Sequence, residues 1–193
     1  MPLSPPAAPR EHIHTRIIEC HGYRRSDGSW DIEGHITDTK TYAFANHFRG
    51  EVAPGTPVHD MWLRLTVDDR LVIHGVEAAT DASPYAVCPA VVPKFQALQG
   101  LRIYPGFQKQ VRDLLGGVQG CTHLVELLGP VATTAYQTIF PYRERQRPRE
   151  PAASAPSAKE KPRRKPRLID SCHAFASDGD VVKRYWPDFY TGN

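Results

Sequence analysis

Two periods divide the chain. Up to about residue 80, apolar and polar positions alternate or run in short β-rich segments, predicting strands over 12–23, 29–37, 58–68 and 71–79. Arg24-Arg25-Ser26-Asp27-Gly28 and Asp68-Asp69 supply turn residues, and the turn at Asp68-Asp69-Arg70 is short enough to make the third and fourth strands a hairpin. From Pro84 the period becomes helical, with helices predicted over 92–98, over 107–115 with Gly116-Gly117 as its stop, and from Cys121 towards Phe140 with a break at Gly129-Pro130. In the last of these, Leu124, Leu127, Leu128 and Val131 recur at spacings of three and four. The order predicts an α+β fold, an antiparallel meander sheet of about four to six strands with C-terminal helices packed on one face.

Composition sets boundaries on that pattern. Residues 1–11 are rich in Pro and Ala and are predicted to form a disordered arm, followed by an α+β domain over 12–142. Residues 143–167 mix Pro, Ala, Ser and charge without apolar periodicity and read as a linker, and 168–193 resumes an apolar, aromatic pattern expected to dock back on the domain. The net charge of +3 conceals a division: 143–167 holds ten Lys/Arg against three Glu, which leaves −4 on the rest. A mildly acidic body weighs against a nucleic-acid-binding fold, and the basic run KPRRKPR is read first as a solvated spacer, second as an adaptor to nucleic acid or a partner. The absence of an apolar leader and of any run of roughly 18 apolar residues predicts a soluble, cytoplasmic protein without a membrane partner. Cys20, Cys88, Cys121 and Cys172 have no close pairing and are expected to be free thiols.

The chemistry concentrates on the second strand. Alternation puts Asp31, Glu33, His35 and Thr37 on one face and Trp30, Ile32, Gly34 and Ile36 on the other, core-forming one. A sheet wet on one side has the same appearance. The third strand, however, places Trp62 and Arg64 beside Asp60 and Thr66 on its polar face, and solvated faces seldom carry Trp. Pairing of the two polar faces would bring Arg64 within reach of Asp31 or Glu33 and His35 towards Asp60. His59 shares the apolar face with Met61 and Leu63, which argues against a joint site with His35 and for a hydrogen-bonded core histidine.

Two further groups complete the candidates. Asp38-Thr39-Lys40-Thr41-Tyr42 follows the strand in a loop-like position, with Lys40 and Tyr42 as potential acid or base, or as plain surface residues. On the long helix His123 and Glu126 are i and i+3; with Cys121 and His35 they form a candidate metal set, although H-x-x-E also arises as a capping or surface pair. Thr134 lies in a hydroxyl-rich stretch that can line a pocket or help helices pack closely. No glycine-rich phosphate loop, G-x-S-x-G elbow or HExxH occurs, so no nucleotide cofactor is expected.

The blocks DGSWDIEGHITDTKTY, HDMWLRLTVD, GCTHLVELL with TTAYQT, and LIDSCHAF followed by WPDFY resemble, in order, a bacterial domain-of-unknown-function family, domain of unknown function 2889. The resemblance runs from about residue 13 to 190, the linker excepted, and implies a bacterial single-domain protein without a catalytic residue list to carry over.

These readings converge on a small-molecule enzyme of lyase or hydrolase type, acting on an anionic organic substrate by acid–base chemistry, with or without a divalent metal such as zinc. The expected roles are Asp31, Glu33, His35, Lys40 and His123 for catalysis, and Trp62, Arg64, Tyr42 and Thr134 for the substrate. His35, His123, Glu126 and Cys121 would hold the metal. The alternative is a ligand-binding or regulatory module using the same polar face, and homo-oligomerisation is left open.

Overall fold

The computed structural model describes residues 3–146, 165–166 and 168–193. Contacts divide the chain into a unit over 1–147 and a second over 148–193. The first unit is the predicted α+β fold. Its sheet is antiparallel in the order β1 (His14–Arg24), β2 (Trp30–Lys40), β5 (His59–Val67), β6 (Ile73–Ala82), and a small hairpin, β3 (Phe44–Asn46) with β4 (Gly50–Val52), is inserted between the second and third strands of the sheet. Each predicted strand is present; β3 and β4 are too short to show a period and were not expected.

The turns follow from their residues. Between β1 and β2, Gly28 takes φ 87° and the Asp27 carboxylate accepts the Ser29 amide. Between β5 and β6 the Asp68 carboxylate accepts the Arg70 and Val72 amides at 2.8 and 2.9 Å, which holds Leu71 at φ 64°.

One face of the sheet carries the core. Trp30, Ile32, Ile36, Met61, Leu63, Leu65 and Val67 are buried there against α1 (Phe107–Leu115) and α2 (Thr122–Gln146). The predicted helix over 92–98 is instead a run of 3-10 turns, Cys88–Leu98, in which Pro93 removes an amide donor that a continuous α-helix would use and crowds the carbonyl one turn back. Conversely, α2 runs through Gly129-Pro130 unbroken. Leu124, Leu127, Leu128, Val131, Ala135 and Ile139 form a continuous buried stripe. The packing of that stripe offsets the hydrogen bond lost at Pro130. The helix also extends through the first four residues of the predicted linker; 147–164 and 167 lie outside the described residues.

Close approach of α2 depends on Gly34. A Cβ there would lie 2.6 Å from Val131 Cγ2 and 3.0 Å from the Leu127 side chain. The predicted arm is exposed and without regular structure over its described residues, 3–11. The second unit holds α3 (Asp180–Tyr185) flanked by 3-10 turns at His173–Phe175 and Pro187–Phe189, with Phe175 and Trp186 ring to ring at 5.8 Å. Among the described residues no helix is long and apolar enough to cross a membrane.

Because the helix cannot retreat without uncovering Leu127 and Val131, Gly34→Ala is expected to lower stability by about 1–3 kcal/mol. Urea unfolding monitored by circular dichroism checks this; a midpoint equal to that of the parent would show that the helix has room to move.

Candidate metal centre

The core face of β2 is defined by the parity Trp30, Ile32, Gly34, Ile36, and the same parity continues to Asp38, because β2 extends to Lys40. A carboxylate is thereby carried to the inner face of the sheet, only 1% exposed, the one buried charged side chain among the described residues. In register, Asp38 lies across from Arg16 on β1 and from His59 on β5. All three occupy the core-side face, at the sheet end where β1 and β5 begin and β2 finishes.

A buried carboxylate needs partners for its lone pairs. Asp38 Oδ1 accepts from Arg16 Nε at 2.8 Å and from His14 Nε2 at 2.9 Å; Oδ2 accepts from Arg16 Nη2 at 2.9 Å and from His59 Nδ1 at 3.0 Å. The Arg16 guanidinium thus forks across both oxygens, and its remaining amino group, Nη1, donates to Glu126 at 2.7 Å. From the first turn of α2, His123 brings Nε2 to 3.9 Å from Asp38 Oδ2 and lays its ring 3.7 Å from that of His59. Cys121 Sγ is 3.9 Å from His123 Nδ1, on the far side of the imidazole from the carboxylate.

Electrostatics favour an ionised acid among neutral bases. Burial raises the Asp38 pKa, but hydrogen bonds from Arg16 and His14 and the charge of the guanidinium outweigh it and hold the group down at about 2. Burial, and then the neighbouring His123, push His59 below the ordinary imidazole value; burial, and then the positive charge of Arg16, do the same to His123. Two neutral imidazoles and one carboxylate from three elements therefore meet, with one ligand atom of each inside 4.8 Å of the others. Two histidines with one carboxylate suit zinc, manganese or iron.

The predicted site is only partly reproduced. On the outer face the expected pairs form: Arg64 reaches Glu33 at 2.7 Å, and His35 Nε2 lies 2.7 Å from Asp60. Trp62 stacks on His35 at 3.6 Å with the rings 6° from parallel. Asp31 is bound by Thr66 and Arg25. Arg64 also bonds Glu77 at 2.6 Å, and Trp62 remains 40% exposed above a shallow depression.

This face is turned away from α2, so Asp31, Glu33 and His35 do not join His123, and His35 leaves the candidate metal set. Lys40 holds its ammonium over the Tyr42 and Phe44 rings. Thr134 meets Cys20 on the helix side, away from Trp62 and Arg64. Of the four expected ligands His123 stays; Glu126 serves Arg16, and Cys121 stands behind His123.

The family described as "Protein of unknown function (DUF2889)" matches residues 14–137, a span that begins at His14 and includes Arg16, Asp38, His59, His123 and Glu126. The chain belongs to this family. No curated protein and no solved structure matches it.

Folded-state depression of the Asp38 pKa is worth about 2 kcal/mol, in full above about pH 4 and lost as the pH falls towards 2. Asp38→Asn leaves Arg16 and both imidazoles facing an amide and is expected to cost about 3 kcal/mol at neutral pH. Denaturant titrations at several pH values check both statements, since the gap between parent and variant should narrow from pH 4 to pH 2. A gap independent of pH would mean that the carboxylate charge is not what stabilises.

Proposed function

We propose that the protein is a metal-dependent small-molecule enzyme of lyase or hydrolase type, with one divalent ion held by Asp38, His59 and His123. The convergence of these three side chains at the end of an otherwise apolar sheet face carries the reading. Atoms bound about 2.1 Å from a common zinc ion lie at most about 4.2 Å apart, so closure of the cluster needs movements of only a few tenths of an ångström to an ångström. Neutral imidazoles ligate a metal without losing net charge, His59 by moving to Nε2 the ring proton that Nδ1 donates to Asp38 Oδ2, and the hydrogen bonds from Arg16 and His14 to Oδ1 fix the orientation of the carboxylate while Oδ2 turns to the ion. His14 and Arg16 are 43% and 36% exposed at their side chains and Glu126 is 50% exposed, so the cluster has a polar, solvent-facing rim. A bound ion there would lower the pKa of a coordinated water or polarise a substrate oxygen. His14 is the rim group suited to proton transfer.

A second reading, a cluster without metal or chemistry, is favoured by the saturation of Asp38. Both of its oxygens already accept hydrogen bonds from Arg16 and an imidazole. On that reading the cluster only holds the strand end together.

Zinc content after dialysis of the full chain separates the two. The metal reading expects about one equivalent in the parent and in His35→Ala, and less than about a tenth in His59→Ala and His123→Ala. Because burial holds both imidazoles below the ordinary value, retention should persist as the pH falls through about 6.5. Equal occupancy in all four proteins, or none in any, would remove the metal.

A further inference from the structure

The rim of the cluster identifies a substrate class. Among the described residues Arg16 is the one Lys or Arg side chain bonded to Asp38, and its donors go to two different carboxylates: Nε and Nη2 to Asp38, Nη1 to Glu126. The guanidinium therefore spans from the buried acid to a half-exposed one. Arg16, Asp38 and Glu126 together carry a net formal charge of −1. That balance attracts a cation. Once a divalent ion occupies the site the same groups sum to +1, an excess that a single negative charge neutralises.

Geometry directs that charge to Arg16. The Nη2 hydrogen bond ends on Oδ2, the oxygen that lies 3.0 Å from His59 Nδ1 and 3.9 Å from His123 Nε2 and so faces the ion. Asp38 is held on the Nε–Nη2 edge, so the second N–H of Nη2 lies on the other edge, beside Nη1. Glu126, on the exposed side, already shows that the outer edge of the guanidinium takes a carboxylate at 2.7 Å. The geometry points to a carboxylate-bearing monoanion as the substrate: its carboxylate replaces Glu126 on the Nη1–Nη2 edge of Arg16 while Asp38 keeps the Nε–Nη2 edge, and its reacting oxygen lies on the ion. The planar fork of Arg suits a carboxylate where a lysine would offer a point charge. This inference rests on the metal reading above and adds to it the anion subsite.

The test uses the full chain loaded with Co²⁺, whose visible absorption reports on its ligands, and acetate as the probe. Acetate should shift the spectrum saturably in the parent. Arg16→Met, kept at Co²⁺ concentrations that saturate the site because the loss of Arg16 also loosens the Asp38 carboxylate, should weaken acetate at least tenfold, with Arg16→Lys in between. Glu126→Gln removes the competitor for the guanidinium and should tighten acetate several-fold. Opposite signs in Arg16→Met and Glu126→Gln are what a merely structural ion pair would not produce. If Co²⁺ binds and acetate leaves its spectrum unchanged, or both variants weaken acetate alike, the anion subsite is wrong while the metal stands. If the parent takes up no Co²⁺, the metal reading falls and this inference with it.

Discussion

The burial of the Asp38 carboxylate is the constraint around which the first unit is arranged. A charged oxygen pair with 1% exposure at the edge of an apolar face is tolerable only with several donors present at once. Four come from β1 and β5: Nε and Nη2 of Arg16, and the imidazoles of His14 and His59. The strands that flank β2 are therefore joined at this end by side chains as well as by their ladder. His59 and His123, held neutral by burial, then complete a set in which one acid is ionised and two bases carry lone pairs.

The helix supplies what the sheet lacks. His123 reaches the carboxylate because the apolar stripe of α2 seats on the inner face over Gly34, close enough that a methyl group would intrude. Glu126, three residues on, lands on Arg16 and ties the same turn of helix to β1. Packing and site are thus one arrangement, since the contact that buries Leu127 and Val131 also fixes the distance from His123 to Asp38.

Much of this was legible in the chain. Alternation placed every strand of the main sheet, and it set His59 on the core side, away from His35. Matching polar faces anticipated both the Arg64–Glu33 and His35–Asp60 pairs. The cluster itself was missed for one physical reason: ending the second strand at Thr37 left Asp38 in a loop, whereas three more residues of ladder carry the core parity on to it. A carboxylate following Trp30, Ile32, Gly34 and Ile36 at steps of two was the available signal. The contributions of His14 and Arg16 depend on the β1–β2 register, which alternation alone does not fix. The expectation of a site at Trp62 arose because an aromatic on a polar face suggests cover. Its ring is instead stacked on His35 and open to solvent on its other side.

The claim that this cluster is a metal centre is tested most directly by anomalous scattering from crystals grown with Zn²⁺. A metal centre predicts one strong peak about 2.1 Å from Asp38 Oδ2 and from one ring nitrogen each of His59 and His123. A peak at His35 and Asp60, or no ordered zinc beside Asp38 with its hydrogen bonds to Arg16, His14 and His59 intact, would contradict it.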